Sequence, residues 1–261
     1  TCIGTGPGLH LTYLVHTLIR QQCRLLPALL LLIAVAAMSD AEQIPPQRAA
    51  MLEAVRASVR NSSDYTGISQ LSDRVMAALA SVPREEFVPT AQQHLAYENT
   101  PRPIAAGQTI SQPLIVALMT ELLETQPEHV VLEVGTGSGY QAAVLSSLVA
   151  EIYSIEIVEE LALSADAVLH DLGYHNVKVR AGDGYAGWPE HAPFDSIIVT
   201  AAAEELPPPL LQQLKPGGKL VIPVGETHGY QELLLIEVDH NGEVTKQSVL
   251  PVRFVPLTGE R

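Results

Sequence analysis

From residue 129 onward, short apolar, β-branched runs alternate with amphipathic stretches. "HVVLEVG", "EIYSIEIV", "NVKVRAGDG", "FDSIIVTAA" and "KLVIPVG" read as strands. "SGYQAAVLSSLV", "EELALSADAVLHDLG" and "PPPLLQQLKPGG" lie between them and read as helices. This alternation predicts parallel β-α-β units, with helices on both faces of a doubly wound, mostly parallel sheet. The tail, "ELLLIEVDHNGEVTKQSVLPVRFVPL", predicts a C-terminal β-hairpin with Asn241-Gly242 as a two-residue turn.

Upstream, the period is helical. Over 47–60, Met51, Leu52, Val55 and Val59 recur at helical spacing, and "NSSDYTG" is expected to break the pattern. Over 72–82, Val75, Leu79 and Val82 share a face, with Ser72 as N-cap and Pro83 at the end. Residues 113–124 form a further helix, with Pro113 in its first turn. The segment before it is Pro-rich and irregular. Three regions follow: 1–40, a leader or mis-assigned extension; 41–125, extra N-terminal helices with an irregular loop; and 126–261, the sheet domain with its hairpin and tail.

Residues 25–37, "LLPALLLLIAVAA", follow Arg20 and Arg24 and fit the apolar part of a secretory signal. The alternative is that Met38 is the true start. Thirteen apolar residues are few for a bilayer span. Cys2 and Cys23 are the only cysteines, so the body of the protein holds no disulfide framework, cysteine nucleophile or zinc cluster. No histidine pair has metal-ligand spacing; His170 and His175 read as a helix end and a loop. No metal site is expected.

The chain has 261 residues, 47% hydrophobic and 17% charged, enough to bury a sizeable core. Its net charge of −14, with 15 scattered basic residues, argues against a nucleic-acid partner held by a basic face.

The chemistry concentrates in "VLEVGTGSGY", residues 131–140. A strand runs into Gly135, Gly137 and Gly139, and a helix follows. Glycines let the backbone turn sharply and approach a ligand, and a helix start can offer amides and a positive dipole end. Tyr140 stands where the dinucleotide fingerprint needs its third glycine, so that fingerprint fails. The G-x-G-x-G spacing, with Glu133 two residues ahead and Thr136 and Ser138 between the glycines, instead resembles the first motif of S-adenosylmethionine-dependent methyltransferases. Glu156 ends the next strand, where an acid can accept both ribose hydroxyls. In "GDGY", Asp183 can accept from the adenine amino group and Gly184 leaves room beside the ring. Each of these alone also fits an ordinary solvated turn. Three loops at the carboxyl ends of successive strands converge on one crevice.

A longer series of motifs is more specific. "PREEFVP", "GQTISQP", "MTELLE", "VLEVGTGSGYQAAVL", "GDGYAGWPEHAPFDSIIVTAAAEELP", "QLKPGGKLVIPVG" and "RFVPL" occur in this order. From about residue 50 to 257 the chain resembles the protein-L-isoaspartate (D-aspartate) O-methyltransferase family. That resemblance implies a Rossmann-like methyltransferase domain with extra N-terminal helices, S-adenosyl-L-methionine as cofactor, and isoaspartyl-containing proteins and peptides as substrates. The free α-carboxylate of an isoaspartyl residue is methylated; the ester collapses to a succinimide that reopens toward aspartate. The resemblance marks Ser111 as the active-site residue and Gln108, Thr109 and Ile110 as its neighbours on the substrate side.

A covalent role for Ser111 is disfavoured, since no nucleophile elbow surrounds it. It also suits the cap of the helix starting at Leu114. Thr200, at the end of "FDSIIVT", and Phe254 and Val255, in "RFVPL", are expected to line the substrate side; the alternatives are simple packing of small residues for the first and closing an edge of the sheet for the other two. Trp188 either shields the adenine or fills core. Ala105 stands where the family usually has glycine, which implies strain if that position needs positive φ. The overall acidity predicts that acidic neighbours of the isoaspartyl residue are unfavourable.

The rivals are a methyltransferase acting on a small molecule or RNA, and a non-catalytic cofactor-binding module. A monomer without stable membrane association is expected. The cofactor is made from ATP inside cells, which favours the cytoplasm; periplasmic or secreted location is the alternative if residues 1–37 act as a signal.

Overall fold

In the computed structural model, residues 1, 44–227 and 229–259 are described. Expectations for the leader, Cys2 and Cys23 fall outside them. The chain divides after Pro45, and residues 46–261 form one compact unit.

Helix α1 spans Pro46–Thr66 and buries Met51, Leu52, Val55 and Val59, the positions its period picks out. It does not stop at Asn61 as expected. Ser62, Ser63 and Thr66 turn their hydroxyls back onto the carbonyls of Val59, Arg60 and Ser62, so these polar residues extend the helix. Gly67 then ends it at φ +70°. Helix α2, Asp73–Ser81, is capped by Ser72, whose hydroxyl accepts from Val75 N. Helix α3, Pro113–Leu122, buries most of one side, including Val116, Leu118 and Met119. Ser111 does not cap it. The cap comes from a distant segment: Asn99 Oδ1 accepts from Leu114 N at 3.0 Å.

Two short strands, β1 (Arg102–Pro103) and β2 (Thr109–Ile110), pair antiparallel in the connection ahead of α3. The main sheet contains β3 (Val130–Val134), β4 (Glu151–Glu156), β5 (Val177–Ala181), β6 (Phe194–Val199), β7 (Leu214–Gly225), β8 (Gln231–Val238) and β9 (Val244–Val252). Its order is β5-β4-β3-β6-β7-β8-β9. The first five strands run parallel, and β8 and β9 are added antiparallel. Helices α4 (Tyr140–Ser146), α5 (Glu159–Asp171) and α6 (Pro208–Gln212) form the crossovers. One apolar core joins α1–α3 to one face of the sheet through residues such as Val55, Leu118 and Val131; a second, around Phe194, Leu210 and Ile236, fills the other.

Two local expectations change. "KPGG" belongs to β7 rather than to a helix: Phe194 pairs with Leu214 and Ser196 with Lys219, so Lys215–Gly218 bulge from the ladder. The β8–β9 hairpin closes through three residues, not two. Asp239 N donates to Glu243 O, Gly242 N donates to Asp239 O, and Gly242 alone carries positive φ. A two-residue type I′ turn needs positive φ at both centres. The Asp239 carboxylate takes the Asn241 and Glu243 amides and so selects the longer loop.

Candidate active site

The sheet reverses its winding between β4 and β6, on either side of β3, and the loops at the carboxyl ends of these strands open a crevice there. Its lining brings together Gln108, Thr109, Ile110 and Ser111 from the β2 segment, and Gly135, Thr136, Gly137 and Ser138 after β3. Glu156, Gly184, Thr200 and Val255 line it too, whereas Glu133, Gly139, Asp183 and Phe254 of the expected set do not.

Four amides of the glycine loop are taken within the protein. Gly135 N and Thr136 N donate to Ile155 O, Gly137 N to Glu156 Oε2, and Gly139 N to Thr136 O. These bonds fold the loop against β4. A Cβ on Gly135, at φ +95°, would sit 2.4 Å from Thr200 Oγ1. A Cβ on Gly184 would sit 2.3 Å from Val134 Cγ1. Any side chain at either position displaces a wall of the cleft. Gly139 serves packing instead: it starts α4 at φ +88°, against Leu169 and Ala165 of α5.

Glu156 is buried at the end of β4. Its two oxygens accept from Gly137 N at 2.8 Å and Val158 N at 3.0 Å, which fixes the carboxylate plane at the cleft. Each oxygen keeps a second lone pair for a ligand hydroxyl. Glu133 lies beneath the cleft, not on its wall, and is fully buried. The Ser154 hydroxyl donates to its Oε2, and Ser154 and Thr136 share a further 2.6 Å hydrogen bond. Burial pushes the Glu133 carboxyl up to about 8, so it holds its proton at neutral pH. Asp183 is also off the wall; its carboxylate accepts from Tyr185 N and lies against Gly259.

Beside the crevice runs a second groove, sharing Thr109, Ser111, Thr200 and Val255 with it and continuing along Leu250–Phe254. Phe254 belongs here. Ser111 therefore stands where the two spaces meet. Its carbonyl accepts from Arg84 Nη2 at 2.7 Å, and Arg84 Nε donates to Ala96 O at 2.8 Å. Arg84 is fully buried, its guanidinium 4.5 Å from the centre of the Tyr140 ring, which itself faces the crevice. Burial lowers its pKa. The loop beside Ser111 turns at Ala106, with φ +53°, and Gly107, with φ +69°; Ala105 is not the strained position.

Sequence reasoning missed Arg84, Tyr140, Gln141, Ile157, Val158, Leu257 and Thr258. Most flank recognised residues directly, so adjacency to the glycine loop, Glu156 and "RFVPL" was the available signal. Arg84 carried none, because a buried arginine cannot be told from a solvated one by pattern. Trp188 does not reach the cleft; it packs on Tyr153 in the core beneath Arg180.

Residues 59–261 match the family model described as protein-L-isoaspartate(D-aspartate) O-methyltransferase. The chain is 57% identical over 211 residues to protein-L-isoaspartate O-methyltransferase 2 of Polaromonas sp., covering 81% of this chain and all of that one. It is 52% identical over 242 residues to protein-L-isoaspartate O-methyltransferase 1 of Cupriavidus necator, covering 90% and 93%. A solved structure of a protein-L-isoaspartate O-methyltransferase from Plasmodium falciparum, described as putative and in complex with S-adenosyl-L-homocysteine, superimposes with a TM-score of 0.67 at 27% identity, covering 80% of this chain and 97% of that one.

Proposed function

We propose a division of roles within the cleft from one premise: the chain belongs to the protein-L-isoaspartate(D-aspartate) O-methyltransferase family. It is an S-adenosylmethionine-dependent protein carboxyl methyltransferase acting on L-isoaspartyl residues of damaged proteins, the first step of a repair that runs through a succinimide. When bound, S-adenosylmethionine supplies a methyl group on a positively charged sulfur, and a carboxylate already ionised at neutral pH needs no strong general base to accept it.

The crevice suits that cofactor. Gly135 and Gly184 let the backbone pack against Thr200 and Val134, so that these walls stay back from the crevice, and Glu156 presents a fixed carboxylate for the ribose hydroxyls. Glu133, neutral and linked through Ser154 to Thr136, supports the loop from below without adding a second negative charge. Asp183 and Gly184 stand at the adenine end. Thr109 and Ser111 offer uncharged hydroxyls that orient the isoaspartyl carboxylate in line with the sulfur, while Gln108, Ile110, Thr200, Phe254 and Val255 hold the peptide in the adjoining groove. Exclusion of water there raises the two opposite charges relative to the charge-neutralised transition state.

The observation that carries the reading is the position of Ser111, shared by the two spaces. Regions 41–125 and 126–261 then divide the work, the first carrying the substrate loop and the second the cofactor. The acidic chain acts as a monomer in the cytoplasm, without nucleic acid or stable membrane association. Among the described residues, no helix is long and apolar enough to cross a membrane. Transfer of labelled methyl groups to an isoaspartyl peptide, with its aspartyl twin as control, tests the activity. S111A tests the site: its rate should fall while cofactor affinity holds. Equal labelling of both peptides would contradict the reading.

A further inference from the structure

Arg253 is a cation on the wall of the groove next to the active site, without a partner among the described residues. Of the groove's lining residues it is the one with a charged side chain. Seven other described Lys and Arg side chains are tied to carboxylates, and Arg74 and Arg84 to backbone carbonyls; Arg60 and Lys246 are as free as Arg253 but do not line the groove. Among the described residues, the Arg253 side chain makes no ion pair and no hydrogen bond. In a chain of net charge −14, carboxylates are abundant, yet this guanidinium is left exposed at the groove.

The backbone that carries Arg253 is held firmly. The next residue, Phe254, is gripped by the side chain of Gln231: Phe254 N donates to Gln231 Oε1 at 2.7 Å, and Gln231 Nε2 donates to Phe254 O at 3.3 Å. Gln231 is buried, with 2% exposure. One residue further, Val255 O accepts from Ala202 N at 2.8 Å. The cation is thus anchored at a fixed place on the groove rather than carried on a mobile tail.

We propose that Arg253 determines substrate specificity, favouring isoaspartyl segments with an acidic residue close to the isoaspartyl residue. The inference rests on the isoaspartyl reading above. It reverses the expectation drawn from net charge, for a physical reason. The excess of carboxylates is spread over a surface many ångströms wide and is screened within about 8 Å at physiological salt. A side chain lying in the groove meets Arg253 first. An exposed pair of this kind is worth a preference of about two- to fivefold.

The test compares isoaspartyl peptides of one sequence carrying Glu, Gln or Lys at the neighbouring positions, assayed as kcat/KM with the full chain. On one side of the isoaspartyl residue the order should be Glu, Gln, Lys, with about a two- to fivefold span that shrinks in high salt. R253Q should abolish the span and R253K should keep it. Cofactor affinity of both variants reports that they are folded. A wild-type enzyme that is indifferent or prefers Lys overturns the proposal, as does a span that survives in R253Q. No transfer to any isoaspartyl peptide overturns both the inference and the reading beneath it, whereas transfer without a span overturns the inference alone.

Discussion

Replacing Glu133 with Gln should stabilise the protein, and by an amount that grows with pH. Glu133 sits inside β3, fully buried, with Oε1 lacking any partner among the described residues. Burial raises its carboxyl from the ordinary 4.5 to about 8. Below pH 4.5 both folded and unfolded chains hold the proton, and Glu133 favours neither. Between 4.5 and 8 the folded state binds a proton that the unfolded state has released, so stability falls as pH rises. The slope is about 1.4 kcal/mol per pH unit. From 4.5 to 7 that amounts to about 3 kcal/mol, and the loss levels off above pH 8. Glutamine is neutral throughout and close in shape, so E133Q escapes the loss. Urea unfolding of both proteins, followed by circular dichroism between pH 4.5 and 9, measures it. The difference between variant and wild type cancels the titration of every other carboxylate. It should rise by about 3 kcal/mol between pH 4.5 and 7 and flatten above 8. A constant difference, or one that falls with pH, would refute a buried, protonated Glu133.

R84M should cost about 3 kcal/mol, because it leaves the buried carbonyl of Ala96 and the half-buried one of Ser111 without their charged donor. Thermal unfolding reads the loss, and a neutral result would contradict the clamp. G184A should weaken S-adenosylhomocysteine binding by about tenfold or more, since the new methyl would meet Val134 Cγ1 at 2.3 Å. Calorimetric titration with unchanged affinity would move the cofactor away from this wall. S111A should lower kcat/KM by roughly 10- to 100-fold through loss of one oriented donor, with S-adenosylhomocysteine affinity preserved. An unaltered rate would reduce Ser111 to a loop residue. N99A should cost about 1 kcal/mol in chemical denaturation through loss of the cap on Leu114 N.

Local chemistry determined a large part of this molecule. The strand and helix periods placed β3 to β6 and the crossover helices, because buried parallel strands must be apolar on both faces and the helices on one. The glycines after β3 and the acid at the end of β4 placed the crevice, because position along a doubly wound chain dictates where the carboxyl ends of strands gather. Other features depended on partners distant in sequence. In the sequence Ser111 suited a cap, a site residue or both; in the fold Asn99 takes the cap. "NSSDYTG" continued a helix because its hydroxyls found carbonyls one turn back. The hairpin loop lengthened because Asp239 captured two amides. Glu133 and Asp183 carry the same charge in the sequence, yet burial neutralises the first. Arg84 and Arg253 are likewise identical as letters. One is sealed beneath the active site and holds its backbone, while the other is exposed at the groove with no partner among the described residues. Burial and pairing are properties of the surroundings, and only the folded arrangement supplies them.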